Sequence, residues 1–236
     1  NGHSRIPVMS WPLGILCILL IACLIGFVHG VLIAKFKMQA FVITLCGLLS
    51  YRGLARFFAN DSAVGYTDAP KELNIESLQS FADGKLFGMP VAFAYLLIIA
   101  IVMFVVLHKS VYGRYLFAVG KNEEATRYSG INTVLVIGSA YVLCSLLAGF
   151  SSVLFAVYTD SVTPSTHGSF FELYAIAGAV LGGCSLRGGE GSIIGIVIGV
   201  AILMVLQNMV NLLGYESSLS DAITGGVIFL GVLADE

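Results

Sequence analysis

The sequence is poor in charge. Only 11% of its 236 residues are Asp, Glu, Lys or Arg, whereas 58% are hydrophobic and the mean hydropathy is +0.94. Soluble globular domains carry about 25% charged residues, so a water-exposed surface cannot be built from this supply. The composition excludes a soluble enzyme, a nucleic-acid-binding protein, a disordered tail and a secreted disulfide scaffold. It predicts a multi-span α-helical membrane protein.

The chain also lacks the patterns of several kinds of chemistry. The five cysteines lie inside apolar runs without metal-ligand spacing, and we interpret them as small buried hydrophobes. The Walker spacing G-x-x-x-x-G-K-[ST] is absent, so the chain is not expected to bind or hydrolyse ATP. No apolar span holds an Asp, and no Gly-x-Ser-x-Gly element accompanies the histidines. We therefore expect neither a catalytic site nor a metal site.

Charge-free stretches predict the membrane spans. Four are long enough to cross a bilayer, and they cover residues 12–34, 89–107, 131–159 and 191–215. Three shorter apolar pieces fall below the ~17–25 residues that a lone span needs: 40–51, 173–186 and 222–234. Each of these is either a short helix extended by neighbouring polar residues or a re-entrant segment. The predicted fold is all-α, a polytopic membrane bundle of about seven segments that forms one domain over 1–236.

The distribution of Lys and Arg predicts the orientation. If the loop 108–130 is cytoplasmic and the spans alternate, seven cationic residues lie inside, where the positive-inside rule favours them: Lys35, Lys37, Lys109, Arg114, Lys121, Arg127 and Arg187. Three lie outside: Arg5, Lys71 and Lys85. Arg52 and Arg56, in or beside the second segment, are left out of this comparison. The loop 59–88 then becomes an acidic external loop, and the carboxy terminus is cytoplasmic.

The predicted cytoplasmic loop 108–132 carries the signals of a short helix. They are, in sequence order, an interruption of regular structure at Gly120, a helix N-cap at Asn122, first-turn carboxylates at Glu123 and Glu124, a basic residue at Arg127 and a helix stop at Gly130. Such a two-turn helix is too short to be stable alone. Something must hold it, and these residues leave a partner-docking helix and an ordinary connecting loop equally open.

Glycines late in the chain predict close helix packing. Gly191, Gly195 and Gly199 form a tandem small-xxx-small row, which lets two membrane helices approach closely. The preceding segment offers Gly178, Gly182 and Gly183 for the same purpose. A flexible gating role is the alternative. Between the two segments, the "SLRGGEGS" stretch at 185–192 is a turn whose glycines permit positive φ.

The predicted cytoplasmic loop 108–132 resembles the coupling motif of permease subunits in the ribose-type branch of ATP-binding-cassette importers. That motif reads T-x-x-G-R-x-x-x-A-V-G-x-N-x-x-A-A-R-x-S-G-I. The matching residues are Gly113, Arg114, Ala118, Val119, Gly120, Asn122, Ala125, Arg127, Ser129, Gly130 and Ile131; Thr126 departs from it. The stretches "FVITLCGLLSYRGLARFF", "LFGMPV" and "FFELYAIAGAVLGGCSLRGGEGS" are similar to further motifs of the family. The likeness covers nearly all of 12–236, with departures at His29 and at Gln39-Ala40.

The resemblance implies a division of labour. The chain would form the import pathway for a ribose-like monosaccharide in the bacterial cytoplasmic (inner) membrane, with a cobalamin-importer-like permease fold and two or three further spans before this sequence. Its partners would be a separate ATPase subunit, a second permease subunit, an external or periplasmic sugar-binding protein and membrane lipid. This chain would hold no cofactor, because ATP and Mg²⁺ bind to the ATPase. The ATPase-coupling residues would be Gly120, Asn122, Glu123, Glu124, Ala125, Arg127, Ser129 and Gly130.

Polar residues within the spans are candidates for the substrate pathway, because such groups are expensive in lipid and often functional. The candidates are Thr44, Glu172, Asn208 and Asn211. Asn208 and Asn211 share a helix face, and their amides either bind sugar hydroxyls or join helices. A position at a helix N-terminus also accounts for Glu172. Nucleosides and branched-chain amino acids are the alternative cargoes.

Overall fold

The computed structural model describes residues 10–65, 78–79, 81–82, 84–86, 88–213, 225–226 and 229. Within these residues the architecture is all-α, as predicted. The helices are α1 (Trp11–Gly30, continued by a π-helical turn Val31–Lys35), α2 (Ala40–Phe58), α3 (Val91–Phe104, continued by a π-helical turn Val105–Lys109), α4 (Val111–Lys121), α5 (Glu123–Tyr128), α6 (Thr133–Tyr158), α7 (Phe171–Leu181) and α8 (Ile193–Leu212). The strands β1 (Val64–Gly65), β2 (Lys85–Leu86), β3 (Met89–Pro90) and β4 (Ser161–Val162) have two residues each and form the antiparallel pairs β1–β4 and β2–β3.

Five of these helices are long and apolar enough to cross a membrane: Trp11–Lys35, Ala40–Phe58, Val91–Lys109, Thr133–Tyr158 and Ile193–Val210. Four of them confirm the four long predicted spans. The fifth shows that the piece 40–51 is part of a helix extended by polar residues to a length that can cross. Nearly all of the piece 222–234 lies outside the described residues.

The long helices keep large apolar side chains on their surface. Leu24 in α1 is 62% exposed and Ile101 in α3 is 63% exposed, and both have similar neighbours along their helices. Contiguous apolar surface of this extent needs a lipid or protein environment. The chain is therefore a multi-pass membrane protein.

Residues 1–97 and 132–167 form one compact unit. Helix α1 packs along α6 through small residues: a Cβ built on Gly26 would lie 2.8 Å from the Tyr141 carbonyl oxygen, and one built on Gly30 would lie 2.9 Å from the Gly138 carbonyl oxygen. Such contacts leave no room for a side chain, so dispersion between two backbones holds the pair together. Beyond α6, the short β1–β4 ladder joins Val64 to Val162.

Residues 98–131 and 168–236 form the second unit. Its helices α7 and α8 pack antiparallel, and a Cβ on Gly182 would lie 2.5 Å from the Gly195 carbonyl carbon, while one on Gly199 would lie 2.7 Å from the Gly182 nitrogen. Gly178 contacts Val200 in the same way. The predicted close packing is confirmed for these glycines. Gly183 does not share that role, because a Cβ there would meet nothing within 4 Å.

Helix α4 contradicts one prediction about the loop 108–132. Gly120 does not interrupt the helix, because α4 continues through it to Lys121. The helix is interrupted at Asn122, whose φ of −160° and ψ of 103° are extended. Helix α4 itself was not predicted, because the helix signals assigned in this loop begin after Gly120.

Candidate functional site

The short helix predicted after Gly120 is present as α5, and Asn122 caps it. The Asn122 Oδ1 accepts a hydrogen bond from the Ala125 backbone N–H at 2.9 Å, which satisfies one of the orphan donors of the first turn. Glu123 and Glu124 occupy that turn, where their carboxylates favour the positive end of the helix dipole. The predicted N-cap and acidic first turn are both confirmed.

Helix α5 ends in a Schellman motif. The Ile131 N–H donates to the Thr126 carbonyl at 3.4 Å and the Gly130 N–H donates to the Arg127 carbonyl at 3.0 Å. Gly130 has a φ of 85°, the left-handed conformation that this motif requires and that glycine adopts without steric cost. The predicted helix stop at Gly130 is confirmed. Local hydrogen bonds therefore close both ends of a six-residue helix.

The two sides of α5 differ in burial. Thr126 is only 6% exposed, and its hydroxyl donates to the Asn122 carbonyl at 2.8 Å. Glu124, Arg127 and Tyr128 are exposed, with Tyr128 at 82%. The Arg127 guanidinium carbon lies 5.9 Å from the centre of the Tyr128 ring. One side of the helix thus rests on the protein, while the other presents an aromatic ring and charges of both signs.

Tyr128 was not among the predicted coupling residues. The family pattern allows any residue between Arg127 and Ser129, so the motif carried no signal for it. Its exposure indicates a role in docking, because large aromatic side chains such as Tyr are common anchors at protein interfaces.

The structure assigns the four candidate pathway residues to different surroundings. The exposed Thr44 hydroxyl donates to the Ala40 and Phe41 carbonyls of its own helix, at 3.0 and 3.1 Å. Glu172 is exposed in the first turn of α7, as predicted for a residue at a helix N-terminus. Asn208 is exposed in α8, whereas the side chain of Asn211 lies outside the described part. Thr44 belongs to the first unit and the other three belong to the second.

Arg56, in the last turn of α2, makes a bidentate pair with Asp61, which follows the helix. The Arg56 Nε and Nη2 donate to the two Asp61 carboxylate oxygens at 2.9 and 2.7 Å. These hydrogen bonds hold the pKa of the Asp61 carboxyl below its usual value. This exposed ion pair ties the last turn of α2 to the residues that follow it. Among the described residues, no group of three or more His, Cys, Asp and Glu side chains is arranged to hold a metal ion.

Two contacts between distant parts of the chain bear on how it crosses the membrane. The β1–β4 ladder joins Val64 to Val162, so these loops share one side, as the predicted alternation requires. Gly120 touches Gly189, so the loops on either side of α6 and α7 also share one side. Helix α6 is long enough to cross once, and an alternating chain would then return through the segment containing α7. The 11 residues of α7 span about 16 Å, roughly half of the ~30 Å hydrocarbon core, so this helix alone is too short to cross.

Comparison with known proteins agrees with this architecture. The family described as branched-chain amino acid transport system / permease component matches residues 5–232. The chain belongs to this family of membrane permeases, as its motifs indicated.

The curated relatives include sugar permeases. The chain is 40% identical over 213 residues to the ribose import permease protein RbsC of Escherichia coli (strain K12), covering 89% of this chain and 64% of that protein. It is 37% identical over 210 residues to the ribose import permease protein RbsC of Bacillus subtilis (strain 168), covering 88% and 62%. It is 32% identical over 208 residues to the L-arabinose transport system permease protein AraH of Escherichia coli (strain K12), covering 88% and 61%. The chain spans less than two thirds of the length of these relatives, and no solved structure matches it significantly.

Proposed function

We propose that this chain is the membrane-spanning permease subunit of a bacterial importer for a ribose-like monosaccharide. A separate ATPase subunit drives the cycle, a second permease subunit completes the pathway, and an external binding protein delivers the sugar. The chain lies in the cytoplasmic membrane with its carboxy terminus inside. The sugar permeases among its relatives support sugar as the cargo over nucleosides or branched-chain amino acids.

The observation that carries this proposal is helix α5. A six-residue helix is not stable alone, yet this one is capped at both ends and buries Thr126 on its inner side. Its outer side offers Glu124, Arg127 and Tyr128 to a partner. Tyr and Arg are enriched at interface hot spots, and a short helix seated in a groove is a common recognition mode. The partner of this surface is the ATPase subunit.

The sugar pathway is assigned to the surroundings of α7. Membrane crossings that combine a short helix with irregular backbone occur where the backbone faces protein or a water-filled cavity. Helices α7 and α8 run antiparallel, and Gly178 of α7 lies opposite Gly199 of α8. If the same pairing is followed along both helices, Glu172 lies about one helical turn from Asn208. A carboxylate and an amide at similar depth are suitable groups for binding sugar hydroxyls.

The chain performs no bond chemistry in this scheme. The sequence has no Walker motif, so ATP and Mg²⁺ bind to the ATPase subunit. ATP-driven closure of the two ATPase subunits moves the α5 helices of the two permeases. The spans then alternate between outward-open and inward-open states as rigid bodies.

Transport by the complete importer in proteoliposomes tests the proposal. With its ATPase and binding protein, the full-length permease is expected to take up ribose or another pentose in preference to hexoses and nucleosides. Glu124→Trp on the outer side of α5 is expected to abolish uptake and substrate-stimulated ATP hydrolysis while membrane insertion stays normal. The matched control is Ser62→Trp, an exposed position on the predicted external side. Normal uptake by the Glu124 variant would disprove docking through α5.

A further inference from the structure

The last turn of α4 lies against the turn between α7 and α8, with backbone touching backbone. Gly120 has helical geometry within α4, and a Cβ built on it would lie 2.8 Å from the Cα of Gly189. Real Cβ atoms essentially never come closer than 3.0 Å to such an atom. No side chain can therefore occupy position 120 unless the two segments move apart.

The opposite side of this contact is also glycine. Gly188 and Gly189 have φ angles of 89° and 77°, which a side chain would strain. A Cβ on Gly188 would lie 3.0 Å from the Gly120 carbonyl oxygen, and one on Gly189 would lie 2.7 Å from the Lys121 nitrogen. We call Gly120, Gly188 and Gly189 the glycine joint. Beside it, the Lys121 Nζ lies 3.5 Å from the Glu190 Oε1, an exposed ion pair of small energetic weight.

A second contact holds the far end of the same turn. The Nε2 of His108 lies 3.4 Å from the Ile193 nitrogen and accepts the N–H of this first residue of α8. The His108 ring packs against Phe104 and Phe117, with ring centres 4.9 and 6.0 Å away. The turn is thus held at two points, in its middle and at the start of α8, by the chain segment that leads into α5. It has little freedom to slide on that segment.

We propose that the glycine joint is the element that positions α5 and transmits its movement to the α7–α8 hairpin. The inference rests on the proposed function, because it assumes that an ATPase moves α5. Asn122, the cap of α5, follows the joint after a single residue. Because closely packed backbones have no side chain that can rotate aside, a displacement of the end of α4 must carry the 188–189 turn with it. Gly182 and Gly195 then pass the movement along the hairpin.

The variant Gly120→Ala isolates this contact. Alanine is favoured over glycine in a helix, so the substitution does not penalise α4 itself and acts only through Gly189. The matched control is Gly53→Ala, at a helical glycine whose built Cβ meets nothing within 4 Å. Both are compared with the unsubstituted permease in the complete importer, reconstituted with its ATPase and binding protein. Three quantities are measured. They are the number of sugar molecules transported per ATP hydrolysed, the amount of ATPase subunit that remains bound to the permease on purification, and the sugar concentration that gives half-maximal uptake.

The expected result for Gly120→Ala is uncoupling. The ATPase is retained and the half-maximal sugar concentration stays within about twofold, while sugar transported per ATP falls about tenfold, because overpacking forces the two backbones apart. A purely structural role would lower the sugar transported per ATP and the amount of ATPase retained and would raise the half-maximal sugar concentration, and that result would overturn the proposal. So would equal behaviour of the two variants. If the unsubstituted complex transports no monosaccharide, the proposed function fails instead.

A cross-link tests the joint without filling it. In a permease whose five native cysteines are replaced, Lys121→Cys and Glu190→Cys are bridged by a short bifunctional thiol reagent. Because the joint stays closed throughout the cycle, the bridged importer is expected to keep at least about half of the uptake of the unbridged one. Loss of uptake on bridging would show that the two segments must separate, and the proposal would be wrong. This result decides the matter even if Gly120→Ala fails to assemble.

Discussion

The side-chain oxygen of Asn122 lies 2.9 Å from the backbone nitrogen of Ala125. This bond joins the end of α4 to the start of α5, because Asn122 closes the first helix and opens the second. The geometry of α5 therefore depends on one amide group at the corner between the two helices.

Replacement of Asn122 by alanine is expected to loosen the first turn of α5. Loss of an N-cap costs about 0.5–2 kcal/mol, which is large for a six-residue helix. Substrate-stimulated ATP hydrolysis by the assembled importer should fall several-fold. Asn122→Asp keeps the acceptor and is expected to retain most of the rate. Equal rates for Ala and Asp would show that capping is irrelevant.

Gly130→Ala is expected to weaken the other end of the helix. The φ of 85° at this position costs a non-glycine residue about 1–2 kcal/mol, although nothing lies within 4 Å of a Cβ there. Asparagine tolerates this conformation better than alanine does. Uptake should therefore decrease in the order Gly, Asn, Ala. A variant with alanine that transports as well as the one with asparagine would rule out backbone strain as the cause.

Gly182→Ala is expected to destabilise the α7–α8 hairpin. The new methyl group would lie 2.5 Å from the Gly195 carbonyl carbon, and overpacking of this kind costs about 1–3 kcal/mol. The thermal midpoint of the purified permease in detergent should fall by several degrees. Gly14→Ala, where nothing lies within 4 Å of the new atom, is the control and should leave the midpoint unchanged. A similar decrease in both variants would contradict the contact.

Thiol labelling tests the predicted orientation. In a cysteine-free background, Ser129→Cys on α5 should react with a membrane-impermeant maleimide only after the cells are permeabilised. Ser62→Cys, beyond the end of α2, should react in intact cells. Both serines are exposed in the structure, so accessibility within the protein does not limit either reaction. The reverse pattern would invert the orientation and remove α5 from the cytoplasm.

The Arg56–Asp61 pair predicts how the Asp61 carboxyl titrates with pH. Since the folded pKa of Asp61 is lowered by hydrogen bonds from Arg56, the stabilisation is present above the unfolded value of 3.8. It is lost as the pH falls through the lower folded value. The pair should therefore be intact across pH 5–8, and carbon-13 titration of labelled Asp61 should give a midpoint below 3.8. Arg56→Gln should raise that midpoint, and an unchanged midpoint would show that the pair does not form.

The sequence was most informative where structure is local. The signals for α5 lie within nine residues, and each of them acts on its own neighbours, so Asn122 and Gly130 were assigned correctly. Gly120 was not, because its role depends on Gly188 and Gly189, which are distant in sequence. Helix α4 was missed for a local reason, since Gly113 and Gly120 lower its intrinsic helix propensity. The candidate pathway residues depend on contacts of the same non-local kind, and their roles stay predictions.

The π-helical turn at Val105–Lys109 has a genetic consequence. A turn of this type is an α-helix that has accommodated one extra residue. Deleting a single codon here would remove the extra residue and restore regular winding with the flanking segments in register. A deletion elsewhere in α3 would rotate everything downstream by about 100° about the axis, the angle between successive residues of an α-helix. In-frame deletion scanning should therefore find this five-residue stretch, in which no side chain is buried, more tolerant than the rest of the helix.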